Sequence, residues 1–128
     1  MLADTEVLAT LPVKNLATAR KFYEETLGFK PTGRGDQPGV VNYSSGKSRL
    51  LVYESQFAGT NKATAATWEV GKQVVSLAKE LAAKGVKFEH YDMPGMKVQG
   101  DLHVAEGQDF KVAWFKDPDG NIFSLINR

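Results

Sequence analysis

Two stretches of this chain copy one another at a fixed distance. Val13 and Val70, Gly28 and Gly85, and Lys30 and Lys87 each lie 57 positions apart. A solenoid stacks at least about three units of this kind, so two copies in 128 residues point instead to one pseudo-symmetric domain built from a duplicated module.

Each copy carries the same order of elements. Val7 to Val13 is apolar and reads as a strand, with Pro12 near its end where a missing backbone donor is tolerated. Asn15 is a good helix N-cap, and Leu16, Ala19, Phe22 with Tyr23, and Leu27 recur at three-to-four-residue spacing before the stop at Gly28. Strand-like stretches follow at Phe29 to Arg34, Val40 to Ser44 and Ser48 to Glu54, the last two joined by a turn at Gly46. In the second copy, Ala65 to Val70 reads as a strand. Val74, Leu77, Ala78 and Leu81 then form one helix face that Gly85 ends. Val86 to Tyr91, Phe110 to Lys116 and Asn121 to Asn127 complete it, with Asp117-Pro118-Asp119-Gly120 as the last turn.

The reading is therefore one domain over residues 1–128, with modules at about 6–56 and 63–128. Aligning the final hairpins on Gly46 and Gly120 gives a spacing of 74, so the second copy holds 17 more residues, the difference between 74 and 57. The stretch Asp92 to Gln108, with Pro94, Gly95, Gly100 and Gly107, is their expected place and reads as an inserted loop.

Composition narrows the functions. Sixteen Lys and Arg against fifteen Asp and Glu leave a net charge of +1 with no basic stripe, which argues against nucleic acid and anionic membranes as partners. No cysteine is present, which removes thiol nucleophiles and Cys-type zinc sites. Asp4 and Glu6 stand where a secretory leader carries positive charge, and no apolar run approaches the ~20 residues that span a bilayer. A cytoplasmic location is the expectation.

The opening Leu11-Pro12-Val13-Lys14-Asn15-Leu16, the later Phe22-Tyr23 and Leu27-Gly28-Phe29, and the closing Trp114-Phe115-Lys116-Asp117-Pro118-Asp119-Gly120-Asn121 resemble the vicinal oxygen chelate superfamily. That superfamily includes glyoxalase I, bleomycin-resistance proteins and extradiol dioxygenases. The resemblance covers nearly the whole chain and implies an α+β fold of two βαβββ modules, forming a curved mixed sheet around a small-molecule cleft. It implies no single reaction.

Metal-dependent members of the superfamily place four His, Glu or Gln ligands on the first and last strands of each module. Carried onto this chain, those positions fall at Leu8, Leu50, Ala65 and Ser124, none of which offers the donors a divalent cation needs. A shift of two gives Thr10, Val52, Thr67 and Ile122, which are no better. Only Glu54 and Glu69, at the same parity as Leu50 and Ala65, would add carboxylates. His90 with Asp92 is a possible two-ligand fragment, whereas His103 and Glu106 would face opposite ways on an extended segment; no third ligand has matching spacing, so both read as loop histidines beside acids, with His103 available as an acid or base.

No cofactor and no metal are therefore expected. The leading expectation is a resistance or sequestration protein for a small apolar or aromatic ligand, lined by Thr10, Leu50, Val52, Glu54, Thr67, Glu69, Trp114 and Ser124. The competing readings are a metal-dependent lyase, isomerase or dioxygenase using Glu54, Glu69, His90 or His103, and a structural or regulatory dimer without a ligand. Trp68 is expected beneath a helix, whereas Trp114 reads equally as core or as ligand platform. Open sheets leave edges to cover, and paired subunits are common in the resembled superfamily, so a homodimer using the 92–108 insertion is expected. Light scattering at high micromolar concentration should report twice 14.0 kDa; a monomer mass would remove the dimer.

Overall fold

The computed structural model describes residues 2–128, which divide after Asn61 into two compact units. Both are α+β, and both follow the order strand, helix, then strands, so the repeat is real. Among the described residues no helix is long and apolar enough to cross a membrane.

In unit 1, strands β1 (Ala9–Val13), β2 (Lys30–Pro31), β3 (Val40–Ser45) and β4 (Ser48–Glu54) form one sheet in the order β1-β4-β3-β2, with β1 parallel to β4. The helix between β1 and β2 starts as α1 (Leu16–Arg20), where the Asn15 side chain accepts the Thr18 N–H at 3.0 Å. It widens into a π-helical segment over Lys21–Thr26, and the Leu27 N–H reaches Phe22 O. Gly28, at φ +79°, ends it as expected. The strand expected at 29–34 shrinks to Lys30–Pro31, because Pro31 cannot donate and Gly33 and Gly35 turn the chain at positive φ.

The core of this unit is aromatic. Tyr23 and Ala19 are fully buried, while Phe22 and Leu27, expected alongside them, are half-buried. Tyr23 stacks on Tyr43 with ring centroids 5.8 Å apart and on Phe29 at 6.3 Å. The Tyr43 hydroxyl donates to Glu24 Oε2 at 2.8 Å, and the same oxygen receives Arg20 Nε at 2.7 Å. Burial, then the hydrogen bond to Glu24, push the Tyr43 hydroxyl well above its ordinary range, so it stays a donor.

Unit 2 repeats the plan with β5 (Thr64–Glu69), α2 (Val74–Ala83), β6 (Phe88–Glu89), β9 (Lys111–Lys116) and β10 (Ile122–Ile126), and β5 runs parallel to β10. Val74 and Ala78 are the fully buried positions of α2; Leu77 and Leu81 are half-buried. The strand expected at 86–91 is only two residues long. The insertion at 92–108 is more than a loop: it folds into a hairpin, β7 (Met96–Gln99) and β8 (Leu102–Ala105), and β8 extends the sheet along β9 beyond β6.

The last turn is held by one carboxylate. Asp117, 4% exposed, accepts the N–H groups of Asp119 and Asn121 on Oδ1 and the Asn121 side-chain amide on Oδ2. Three charge-assisted bonds on one buried side chain account for the Asp-Pro-Asp-Gly-Asn sequence in structural terms.

Replacing Tyr23 by Ala removes the ring on which two others stack, and should lower stability by about 3–5 kcal/mol, read as a lower urea midpoint at unchanged slope.

Candidate functional site

Each sheet has two faces, and strand register decides which residues share them. In unit 1, Leu50 pairs with Tyr43 and Val52 with Val41 and Leu11. These side chains therefore share the face that carries Tyr43 beneath Tyr23 and the helix. Leu50 is 3% exposed and Val52 is 0% exposed, so both belong to the hydrophobic core rather than to a binding surface. The opposite face of β4 presents Leu51, whose partner on β1 is Thr10.

In unit 2 the partner of Thr67, the repeat equivalent of Thr10, is Ser124. Thr10 pairs with Leu51, so Ser124 corresponds to Leu51 and the spacing between final strands is 73, one less than the glycines suggested. The cause is turn length. Ser45 faces Ser48 across a two-residue turn, whereas Lys116 faces Ile122 across five, so Gly46 and Gly120 are not equivalent. Ala65 departs from the pattern in another way. Thr64 pairs with Ile122 and Ala66 with Phe123, which leaves Ala65 as the extra residue of a bulge that keeps Thr64 and Thr67 on one face.

With the register corrected, the superfamily's metal positions become Leu8, Leu51, Ala65 and Ser124, and none supplies a carboxylate or imidazole. The other donors are dispersed. Glu54 accepts the Leu16 N–H at 3.1 Å and so caps α1; His90 Nε2 lies 2.9 Å from Gly100 O; Glu69 is exposed at the end of β5. Among the described residues no three His, Asp or Glu side chains converge. The residues present do not fit the superfamily's metal site.

Three of the expected residues do come together. Ser124 lies between Thr67 and Trp114 by register, and the Thr67 and Ser124 hydroxyls are 2.7 Å apart. Trp114 occupies this face, while Trp68 meets Phe123 edge-on, 5.3 Å between centroids, on the other face with Phe115. Thr10 lies in unit 1, where its hydroxyl donates to Leu8 O.

The structure adds residues the sequence reading missed. Tyr91 and His103 both pack against Trp114, edge-on at 5.3 and 4.8 Å. His103 is on β8 and 1% exposed, so it is a core histidine and not a loop acid or base. Its ring stacks on Tyr91, and Nε2 sits 2.9 Å from Tyr91 N and 3.0 Å from Tyr91 O. The Tyr91 hydroxyl is buried without a hydrogen-bond partner, and burial, then the charge of Glu89, raise its pKa.

Beside this cluster a cleft of about 230 Å³ is lined by Lys62, Ala63, Thr64, Tyr91, Met93, Trp114 and Ile122. Its walls are aromatic, aliphatic and thioether groups with one hydroxyl, of Thr64, and one ammonium, of Lys62. Tyr91 and Met93 sit in the segment after β6, and large apolar residues in a connection were the signal available in the sequence.

Comparison with known proteins places this geometry. The sequence model described as Glyoxalase/Bleomycin resistance protein/Dioxygenase superfamily matches residues 7–125. No curated protein matches by sequence. Among solved structures, an integron cassette protein from the mobile metagenome of the Halifax Harbour sewage outfall is 21% identical, covering 98% of this chain and 99% of its own, with a TM-score of 0.70. The bleomycin resistance determinant encoded on transposon Tn5 is 18% identical over 96% and 97%, TM-score 0.70. The fosfomycin resistance protein FosX of Mesorhizobium loti is 10% identical over 100% and 94%, TM-score 0.68.

The corrected register is directly testable. Leu50→Glu should cost about 3 kcal/mol or more, because it buries a charge under the helix, whereas Leu51→Glu should cost about 1 kcal/mol or less. Equal losses in urea titrations would put the faces back in question.

Proposed function

Because this chain belongs to the Glyoxalase/Bleomycin resistance protein/Dioxygenase superfamily, we propose that it binds a small apolar or aromatic molecule without a metal, as a sequestration or resistance protein. The observation that carries the reading is the cleft walled by Tyr91, Trp114, Met93 and Ile122. Such a wall favours burying a planar ring, through apolar area removed from water and edge or face contacts with the aromatic groups. Two proteins of the same fold are a bleomycin resistance determinant and a fosfomycin resistance protein, a precedent for this kind of function on the scaffold.

Of the residues expected to line the site, the proposal keeps Trp114 as the platform and Thr67 and Ser124 as its neighbours on the sheet. The hydroxyl pair satisfies itself, so it adds little that a ligand must displace. The enzymatic alternative, a lyase, isomerase or dioxygenase, lacks a gathered donor set among the described residues. A homodimer remains part of the proposal.

The chain has two tryptophans, and Trp68 lies on the other face, so a Trp68→Phe variant leaves Trp114 as the sole indole emitter. One- and two-ring aromatic compounds should quench or shift that emission and raise the melting temperature by several degrees, since a ligand at 100 times its Kd adds about 2.7 kcal/mol. Trp114→Ala should abolish the thermal response. No response to any aromatic compound at millimolar concentration would sink the reading.

A further inference from the structure

The cleft's polarity points to the class of its occupant, an inference that rests on the binding reading above. Sites for drug-sized ligands run to about 300–1,000 Å³, so a cleft of 230 Å³ suits a molecule of one or two rings. Its polar resources are few. The hydroxyl of Tyr91 is shielded from solvent, leaving the ring as the exposed wall, and no carboxylate is among the lining residues. Lys62 is the only charged lining group, it is exposed, and it has no ion-pair partner among the described residues.

We infer that the cleft takes a one- or two-ring aromatic acid, with the ring against Trp114 and Tyr91 and the anionic group met by the Lys62 ammonium. A lysine suits this role as a compact, strongly hydrated point charge on a flexible stem, which reaches a carboxylate at the mouth of the cleft without being buried. Burying the ring removes apolar area from water whatever its substituent. The charge therefore selects among aromatic compounds, and Lys62 is the residue that determines specificity. The acids flanking Tyr91 in sequence, Glu89 and Asp92, leave this selection intact: Glu89 is held by Lys116 at 3.1 Å, and Asp92 is not a lining residue.

The experiment titrates the full chain, as the Trp68→Phe variant, with three probes of one shape: 1-naphthoate, 1-naphthalenemethanol and 1-naphthylmethylammonium. Naphthoate should bind about fivefold to tenfold more tightly than the neutral alcohol, and the ammonium probe more weakly than either. Raising salt should narrow the gap between naphthoate and the alcohol by weakening naphthoate. Lys62→Gln should bring naphthoate to the affinity of the alcohol, and an unchanged urea midpoint shows that the variant is folded. If the alcohol or the ammonium probe binds as tightly as naphthoate, and Trp114→Ala still removes all binding, the aromatic-acid assignment fails while the binding reading stands. If Lys62→Gln keeps the preference for naphthoate, the assignment of Lys62 fails. If none of the probes binds, and no other aromatic compound does, the binding reading fails and this inference with it.

Discussion

The parallel pairing of each unit's first strand with its last is the constraint on which the rest depends. Parallel neighbours cannot be joined by a tight turn, so the chain must leave β1 or β5, cross over, and return through further strands before the last one closes the ladder. The crossing segment is a helix in both units, and it covers one face of its sheet. In unit 1 the consequence is visible in residues: Tyr23 from the helix stacks on Tyr43, and Leu11, Val41, Leu50 and Val52 fill the same side. The face away from the helix is left uncovered by it.

How much of this was legible in the sequence depended on whether spacing survives between landmarks. The run from the first strand through the helix to its glycine stop has equal length in both copies, so the 57-residue offset sets Thr10 beside Leu51 and Thr67 beside Ser124 as matching strand pairs. The final hairpins differ in turn length, and alignment on their glycines slipped by one residue, enough to turn Leu50 and Val52 toward the wrong face. A period of two makes a strand unforgiving of this error, whereas a helix absorbs it. The helix stripes were read correctly as stripes, although Ala19, Tyr23, Val74 and Ala78 rather than the larger Phe22, Leu27, Leu77 and Leu81 are the fully buried positions.

The insertion failed for another reason. Pro94, Gly95, Gly100 and Gly107 carry the strongest local turn signals, and they outweighed four-residue strands whose alternation is too short to detect. His103 was hidden with them. Its burial comes from β8 joining the edge of β9, a tertiary event that residue order alone does not announce. The cleft inherits the same blindness, because Tyr91 and Met93 owe their position to the segment between β6 and that hairpin.

The polar groups beside the cleft are bonded within the protein. Thr67 and Ser124 bond each other. His103 uses Nε2 on the backbone of Tyr91, accepting from its N–H in one neutral tautomer or donating to its carbonyl in the other, and a single nitrogen cannot do both at once. Either way the imidazole fixes the Tyr91 segment, and Nδ1 is left buried without a partner. A general base needs a free nitrogen within reach of a substrate proton. Here one nitrogen is committed to the backbone and the other is sealed from solvent, so the histidine serves the shape of the wall. What the wall presents outward is the ring of Tyr91, the indole of Trp114 and the thioether of Met93, with Thr64 and the Lys62 ammonium beside them.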